Sequence, residues 1–304
     1  LPELQRLLHR WQLNLTATAR ALLHGQPLAT LNQNALAILQ ALHRALIAPL
    51  AASLANAERL VIIPTGPLHP VPFHALHDGT THLIERQEVS VAPSAAIFAL
   101  CAARPASVGT GALVLGHSDD GRLPGALAEA RLVATLLPGR CYLEAAATRT
   151  ALAAHASGHR VLHLAAHGAA RLDNPLFAHI RLDDGRLSPA DIFTLDLDGM
   201  LVVLSACETG RAAVQGGDEL IGLSRAFLHA GAKTLVQSLW RVEDRATAQL
   251  MRHFYTSLRD GATVGVALRS AQLALLGDGA PLFCWAAFQL LGHGGLVIGE
   301  SETA

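Results

Sequence analysis

The sequence predicts an α/β protein built on a mostly parallel sheet with helices on both faces. Three observations carry that expectation. From about residue 111, short strand-like apolar runs alternate with helical stretches. Runs such as "MLVVLSAC" (200–207) are apolar nearly throughout, as strands buried on both faces are. The helices between them are punctuated. Asp218 stands near the start of "GDELIGLSRAFLHAG" with Gly231 at its end, and Asp244 caps "RATAQLMRHFYTSL" before Gly261.

In chain order, residues 1–56 read as helical, because "LPELQRLLHRW" and "LNQNALAILQALHRALIAPLAASL" repeat apolar residues at spacings of three and four. "RLVIIP" (59–64) is a short buried strand. "GPLHPVPFHALHDG" (66–79) holds three prolines and is irregular. "HLIERQEVSVAPS" (82–94) contains two extended pieces. "GALVLG", "CYLE", "RVLHLAAHG", "MLVVLSAC", "KTLVQSLW" and "AAFQLL" follow as strands. "GALAEARLVATLL", "TRTALAAHAS", "LSPADIFTL" and "VGVALRSAQLALL" supply further helices between them. The break before "RPASVGTG" divides a helical lead-in with short strands (1–104) from the alternating strands and helices (105–304).

Composition narrows the function. Of 304 residues, 51% are hydrophobic, mostly Ala and Leu. No uninterrupted apolar run reaches the ~18 residues a membrane span needs, so a soluble protein without a membrane partner is expected. A net charge of −1 with no long run of one sign argues against nucleic acid. No basic-then-apolar leader is present. The chain opens on Leu1 rather than Met, so a fragment of a longer protein is expected. Cys101, Cys141, Cys207 and Cys284 are scattered without a C-x-x-C pair, which points to reduced thiols and a cytoplasmic setting.

The chemistry gathers at strand ends. In open α/β sheets, reactive groups collect at the carboxyl edge. "VLHLAAHG" ends on His167-Gly168 and "LVVLSAC" ends on Cys207. If these strands are parallel neighbours, their tips stand ~5 Å apart, or two spacings if another strand intervenes. An imidazole can activate a thiol, whose ordinary pKa of ~8.5 leaves it mostly protonated near neutral pH. Gly168 leaves room for a backbone amide to hold an oxyanion. Ala206 and Gly210 allow a tight turn around Cys207. His155, His159, His163 and His167 recur every four residues, a spacing that on one helix would align a zinc site. The strand character of "RVLHLAA" breaks that alignment, and no metal or other cofactor is expected. His163 reads as a core residue, as do Trp240 and Trp285.

The segments "HLAAHG", "VVLSACETG", "GLSRAFLHAGAKTLVQSLWRVED" and "ALRSAQ…WAAFQLLG" resemble the CHAT domain, a caspase-like peptidase family often joined to tetratricopeptide repeats. "IAPL…RLVIIPTGPLHPVPFHAL" and "VSVAPS" are similar to its N-terminal part, and the resemblance spans about 45–293. It implies a caspase–hemoglobinase-like α/β/α sandwich and a cysteine endopeptidase whose dyad is His167 and Cys207. Cys207 would attack the scissile carbonyl and His167 would handle protons, with the amides of Gly168 and Cys207 as the oxyanion hole. The resemblance places Ser205 in the pocket for the side chain preceding the cleaved bond. Asp218 and Glu219, in the loop after the nucleophile, are further candidates there. Ser238 and Trp240 in "QSLWR" would face a peptide added as a strand. A protein substrate, an upstream sensor domain or partner (tetratricopeptide repeats among the candidates) and a role in bacterial defence complete the expectation. The rivals are a catalytically inactive caspase-like scaffold and a metal-dependent hydrolase using the histidine run.

Overall fold

The computed structural model describes residues 2–169, 178–205, 217–240 and 244–298, with the backbone alone for 217–221. The N-terminal helices are α1 (Pro2–Leu23), α2 (Ala29–Leu46) and the short α3 (Ala51–Leu54). Strand β1 (Arg59–Ile62), the turn α4 (Leu83–Arg86), β2 (Glu88–Val91) and α5 (Ala95–Ala103) follow. The alternating region begins with β3 (Ala112–Gly116), α6 (Pro124–Leu136), β4 (Gly139–Leu143), α7 (Arg149–His155) and β5 (Val161–Ala165). Three short strands, β6 (Gly168–Ala169), β7 (His179–Leu182) and β8 (Gly185–Leu187), precede α8 (Pro189–Phe193). The chain continues with β9 (Leu201–Ser205), α9 (Gly217–His229), β10 (Thr234–Ser238) and α10 (Asp244–Arg259). It closes with α11 (Val264–Gly277), α12 (Leu282–Trp285) and β11 (Phe288–Gly292).

Eight strands form one sheet in the order β1-β2-β11-β10-β9-β5-β3-β4. β10, β9, β5, β3 and β4 run parallel. β11 is antiparallel to β10, and β2 and β1 run parallel to β11. The two portions divided at residue 104 thus share a sheet, through β2 and β11. α6, α10 and α11 pack together on one face. The strand order doubles back from β4 across β3 to β5, and the right-handed rule for parallel connections puts α7, α8 and α9 on the other face, where α8 and α9 pack together. Among the described residues, no single helix is long and apolar enough to cross a membrane.

Two local expectations need correction. "HLIER" is not extended but forms α4, because the Glu85 carboxylate reaches back to accept from the His82 amide at 2.6 Å while the Glu85 amide donates to the His82 carbonyl at 3.0 Å. Residues 168–187 carry a small antiparallel sheet, β6-β7-β8, that the alternation did not reveal. Its segments are too short and too charged to show a buried period.

One glycine is fixed by steric necessity. Gly139 opens β4 at φ 151°, and a Cβ there would lie 1.9 Å from the Ala112 carbonyl oxygen. Gly139→Ala should therefore destabilise the protein by about 1–3 kcal/mol or more, read as a lowered urea midpoint. A second prediction concerns acid. His74 is buried, and burial lowers its pKa from 6.5 to about 4 although its Nε2–H donates to the Ala286 carbonyl at 3.1 Å. The unfolded chain takes up this proton first, so stability is complete above pH ~6.5 and falls as pH drops towards 4. The loss from this group is about 3 kcal/mol. Urea melts across that range should show it, and His74→Gln should flatten that part of the profile.

Candidate active site

Because five strands are parallel, the carboxyl ends of β3, β4, β5, β9 and β10 lie along one edge of the sheet. β5 and β9 are direct neighbours, registered from Val161 opposite Leu201 to Ala165 opposite Ser205. The adjacency that the sequence left conditional is present, at one strand spacing of ~4.8 Å. His167 follows β5 by two residues and is half-buried, and its carbonyl accepts from the Arg181 amide of β7 at 2.8 Å. That bond makes Gly168 and Ile180 a non-hydrogen-bonded pair, so the Gly168 N–H points away from β7. Cys207, the other half of the expected dyad, follows Ser205 by two residues and lies outside the described residues. Its amide lies outside them as well.

A row of small residues crosses the sheet at this edge. Gly116, Ala165 and Ser205 are in register, and one step beyond the paired Leu204 and Gln237 the row reaches Ser238. One pleat inward, the same face carries Val114, His163, Val203 and Val236, all buried. α6 seats closely over the small row: a Cβ on Gly116 would lie 2.6 Å from the Ala130 Cβ. This proximity brings Glu129 of α6, only 5% exposed, to the end of β9. Its Oε2 accepts from the Ser205 hydroxyl at 2.9 Å, and its Oε1 lies 3.2 Å from His163 Nε2 without hydrogen-bond alignment. His163 Nδ1 is 2.8 Å from the Tyr255 hydroxyl of α10. Burial pushes the Tyr255 phenol well up, and the Glu129 charge adds to the shift. Tyr255 therefore stays protonated.

Loops at the same edge hold the non-glycine residues with positive φ among those described: Asp119 (53°) and Asp120 (58°) after β3, and Glu144 (48°) after β4. Side chains lock them in place. Arg181 Nε meets Asp119 Oδ1 at 2.8 Å, and the Ser118 hydroxyl donates to Glu144 at 2.5 Å. That hydrogen bond, with a second from the Ser118 amide, holds the Glu144 carboxyl below its ordinary value. Backbone strain of this kind collects where the surroundings over-determine a functional loop.

Other expected residues fall elsewhere. Asp218 and Glu219 stand in the first turn of α9 rather than in a loop, and their side chains lie outside the described residues. β10 is not an edge for an added strand, because β9 flanks it through Gln237 and β11 through Ser238, and the Leu239 amide donates to Ala287. Ser238 is buried. Trp240, 4% exposed, packs edge-on against Trp11 at 5.8 Å and donates its indole N–H to the Phe283 carbonyl at 2.8 Å. Both side chains are buried among the described residues. The histidine run crosses a helix end at His155, an irregular residue at His159 and a strand at His163, so no helix aligns it. The Asp244 carboxylate reaches across to accept from the Gly125 amide of α6 at 3.1 Å. Glu129 was missed by the sequence reading, although a signal existed. It shares the buried stripe of α6 with Ala130 and Val133, where a lone acid is out of place.

Comparison with known proteins follows this geometry. The CHAT domain family matches residues 36–293. Tetratricopeptide repeat protein 28 of Homo sapiens is 36% identical over 108 residues, and that of Mus musculus is 35% identical over the same length. The matched segment is 35% of this chain and only 4% of those relatives. Among solved structures, the Saccharomyces cerevisiae separase–securin complex superposes with a TM-score of 0.54 at 14% identity, covering 76% of this chain and 15% of that one. The complex of Porphyromonas gingivalis RgpB pro- and mature domains gives 0.52 at 10% identity, covering 86% and 69%. These likenesses are of fold. The family match takes in most of the chain and the sheet edge just described, and the chain therefore belongs to the CHAT domain family, with its caspase-like α/β/α architecture.

Proposed function

We propose that the chain is a cysteine endopeptidase acting through Cys207 and His167. The observation that carries this reading is the parallel, in-register adjacency of β5 and β9, whose continuations bear the two residues. The Cys207 thiolate attacks the scissile carbonyl and forms a C–S bond. The oxyanion is held by backbone amides, for which the outward-pointing Gly168 N–H and that of Cys207 are the candidates. As the C–N bond breaks, the imidazolium of His167 gives its proton to the leaving amine. Water, deprotonated by His167, then hydrolyses the thioester and restores the thiol. Ser205, Asp218 and Glu219 are the candidates for lining the pocket beside the nucleophile.

An unrestrained endopeptidase would damage its own cell, so the proposal includes control by a sensor domain or partner in the cytoplasm, in the setting of bacterial defence. The curated relatives are named for tetratricopeptide repeats, which makes such repeats the first partner to try. Full-rate cleavage by the isolated chain would end the regulatory part of the proposal.

Incubation with a peptide library, alone and with a repeat partner, tests the catalytic part, with products read by mass spectrometry. Cys207→Ala and His167→Ala should each lower kcat/KM by about 10³-fold or more. A peptide-based thiol probe should label the wild type at residue 207 and leave Cys207→Ala unlabelled. Cleavage that survives Cys207→Ala, or a wild type that neither cleaves nor takes the probe, would favour the inactive scaffold instead.

A further inference from the structure

The carboxyl end of β9 is held from one side by a buried acid, and we propose that Glu129 is a positioning residue. By accepting from Ser205 it fixes where the chain leaves β9, and so sets the approach of Cys207 to His167. The inference rests on the dyad proposed above.

Burying a carboxylate costs several kcal/mol unless hydrogen bonds and charges compensate. On the stripe of α6 that also buries Ala130 and Val133, an apolar side chain would pack without that cost. The donors around Glu129 indicate what the acid does there. The Tyr255 hydroxyl and His163 Nδ1 are 2.8 Å apart, and where the phenol donates, Nδ1 accepts. His163 then carries its proton on Nε2, facing Glu129 Oε1 at 3.2 Å. The Ser205 hydroxyl donates to Oε2 at 2.9 Å. The Ser205 hydroxyl thus reaches one oxygen of the Glu129 carboxyl, and His163 Nε2 faces the other without hydrogen-bond alignment. Ser205 is the last residue of β9, half-buried and two residues before Cys207. One helical turn earlier, the Gly125 amide of α6 donates to Asp244 at the start of α10. The same helix thus ties down two segments that flank the candidate site. A glutamine at 129 offers one acceptor oxygen and cannot serve both Ser205 and His163.

Alkylation by iodoacetamide across pH, quantified at Cys207 by mass spectrometry, tests the proposal without a known substrate. In the wild type, His167 should lower the midpoint below that of an ordinary thiol, ~8.5, and His167→Ala should abolish the effect. Glu129→Gln and Ser205→Ala should each move the midpoint back towards the ordinary value. The double variant should go no further than either single one. With a substrate in hand, each should lower kcat about 10- to 100-fold, and Glu129→Gln should leave KM within about twofold. Ser205→Ala removes one oxygen from a half-buried site and is the variant least able to disturb folding. A folded Ser205→Ala chain with wild-type melting temperature, alkylation midpoint and kcat would overturn the positioning role while leaving the dyad intact. A wild-type Cys207 that titrates as an ordinary thiol, unaffected by His167→Ala, would overturn the dyad itself.

Discussion

A helix can approach a sheet only as closely as the side chains between them permit, and here that limit is set by a row of small residues. Gly116, Ala165 and Ser205 lie in register at the carboxyl edge, and α6 rests on them. A larger residue in the row would lift the helix and withdraw Glu129 from the end of β9. The placement of the last residue of β9 therefore depends on a packing distance one layer away. Atoms in protein interiors are packed too densely for such a distance to drift.

The same seating explains why polar groups lie inside an otherwise apolar face. His163 is flanked in its row by Val114 and Val203, with Val236 beyond them. It is accommodated because Tyr255 comes from α10 on one side and Glu129 from α6 on the other. Removing one member would leave the others buried without a partner, at about 1–3 kcal/mol or more for each stranded group. The network is a joint between two helices and two strands, built where the chain must leave the sheet.

Most of the architecture was legible in the sequence because it rests on local signals. Strands β3, β5, β9 and β10 are apolar nearly throughout, and α10 and α11 are bounded by the polar caps and glycines that helix ends favour. The pairing of β2 with β11 was not legible, since nothing near Val91 specifies a partner such as Leu291. The strands β6 to β8 escaped notice because "HIRL" and "GRL" carry charge and little period. At the site, His167 was legible as the residue following an apolar strand. The pairing of Glu129 was not, because its partner Ser205 lies 76 positions away, although a lone acid on the buried stripe of α6 was visible. Trp240 shows the opposite failure. A motif placed it beside substrate, whereas its indole fills a gap between Trp11 and Phe283.

The pairing of β2 with β11 bears on how the molecule comes into being. β1 and β2 emerge early in synthesis, yet their place in the main sheet exists only after β11 has been made, about 200 residues later. Until then two short strands and the helices before them have no partner along that flank. Assembly must finish by docking the earliest segments against a late one, so a nascent chain halted before β11 carries an unfinished sheet.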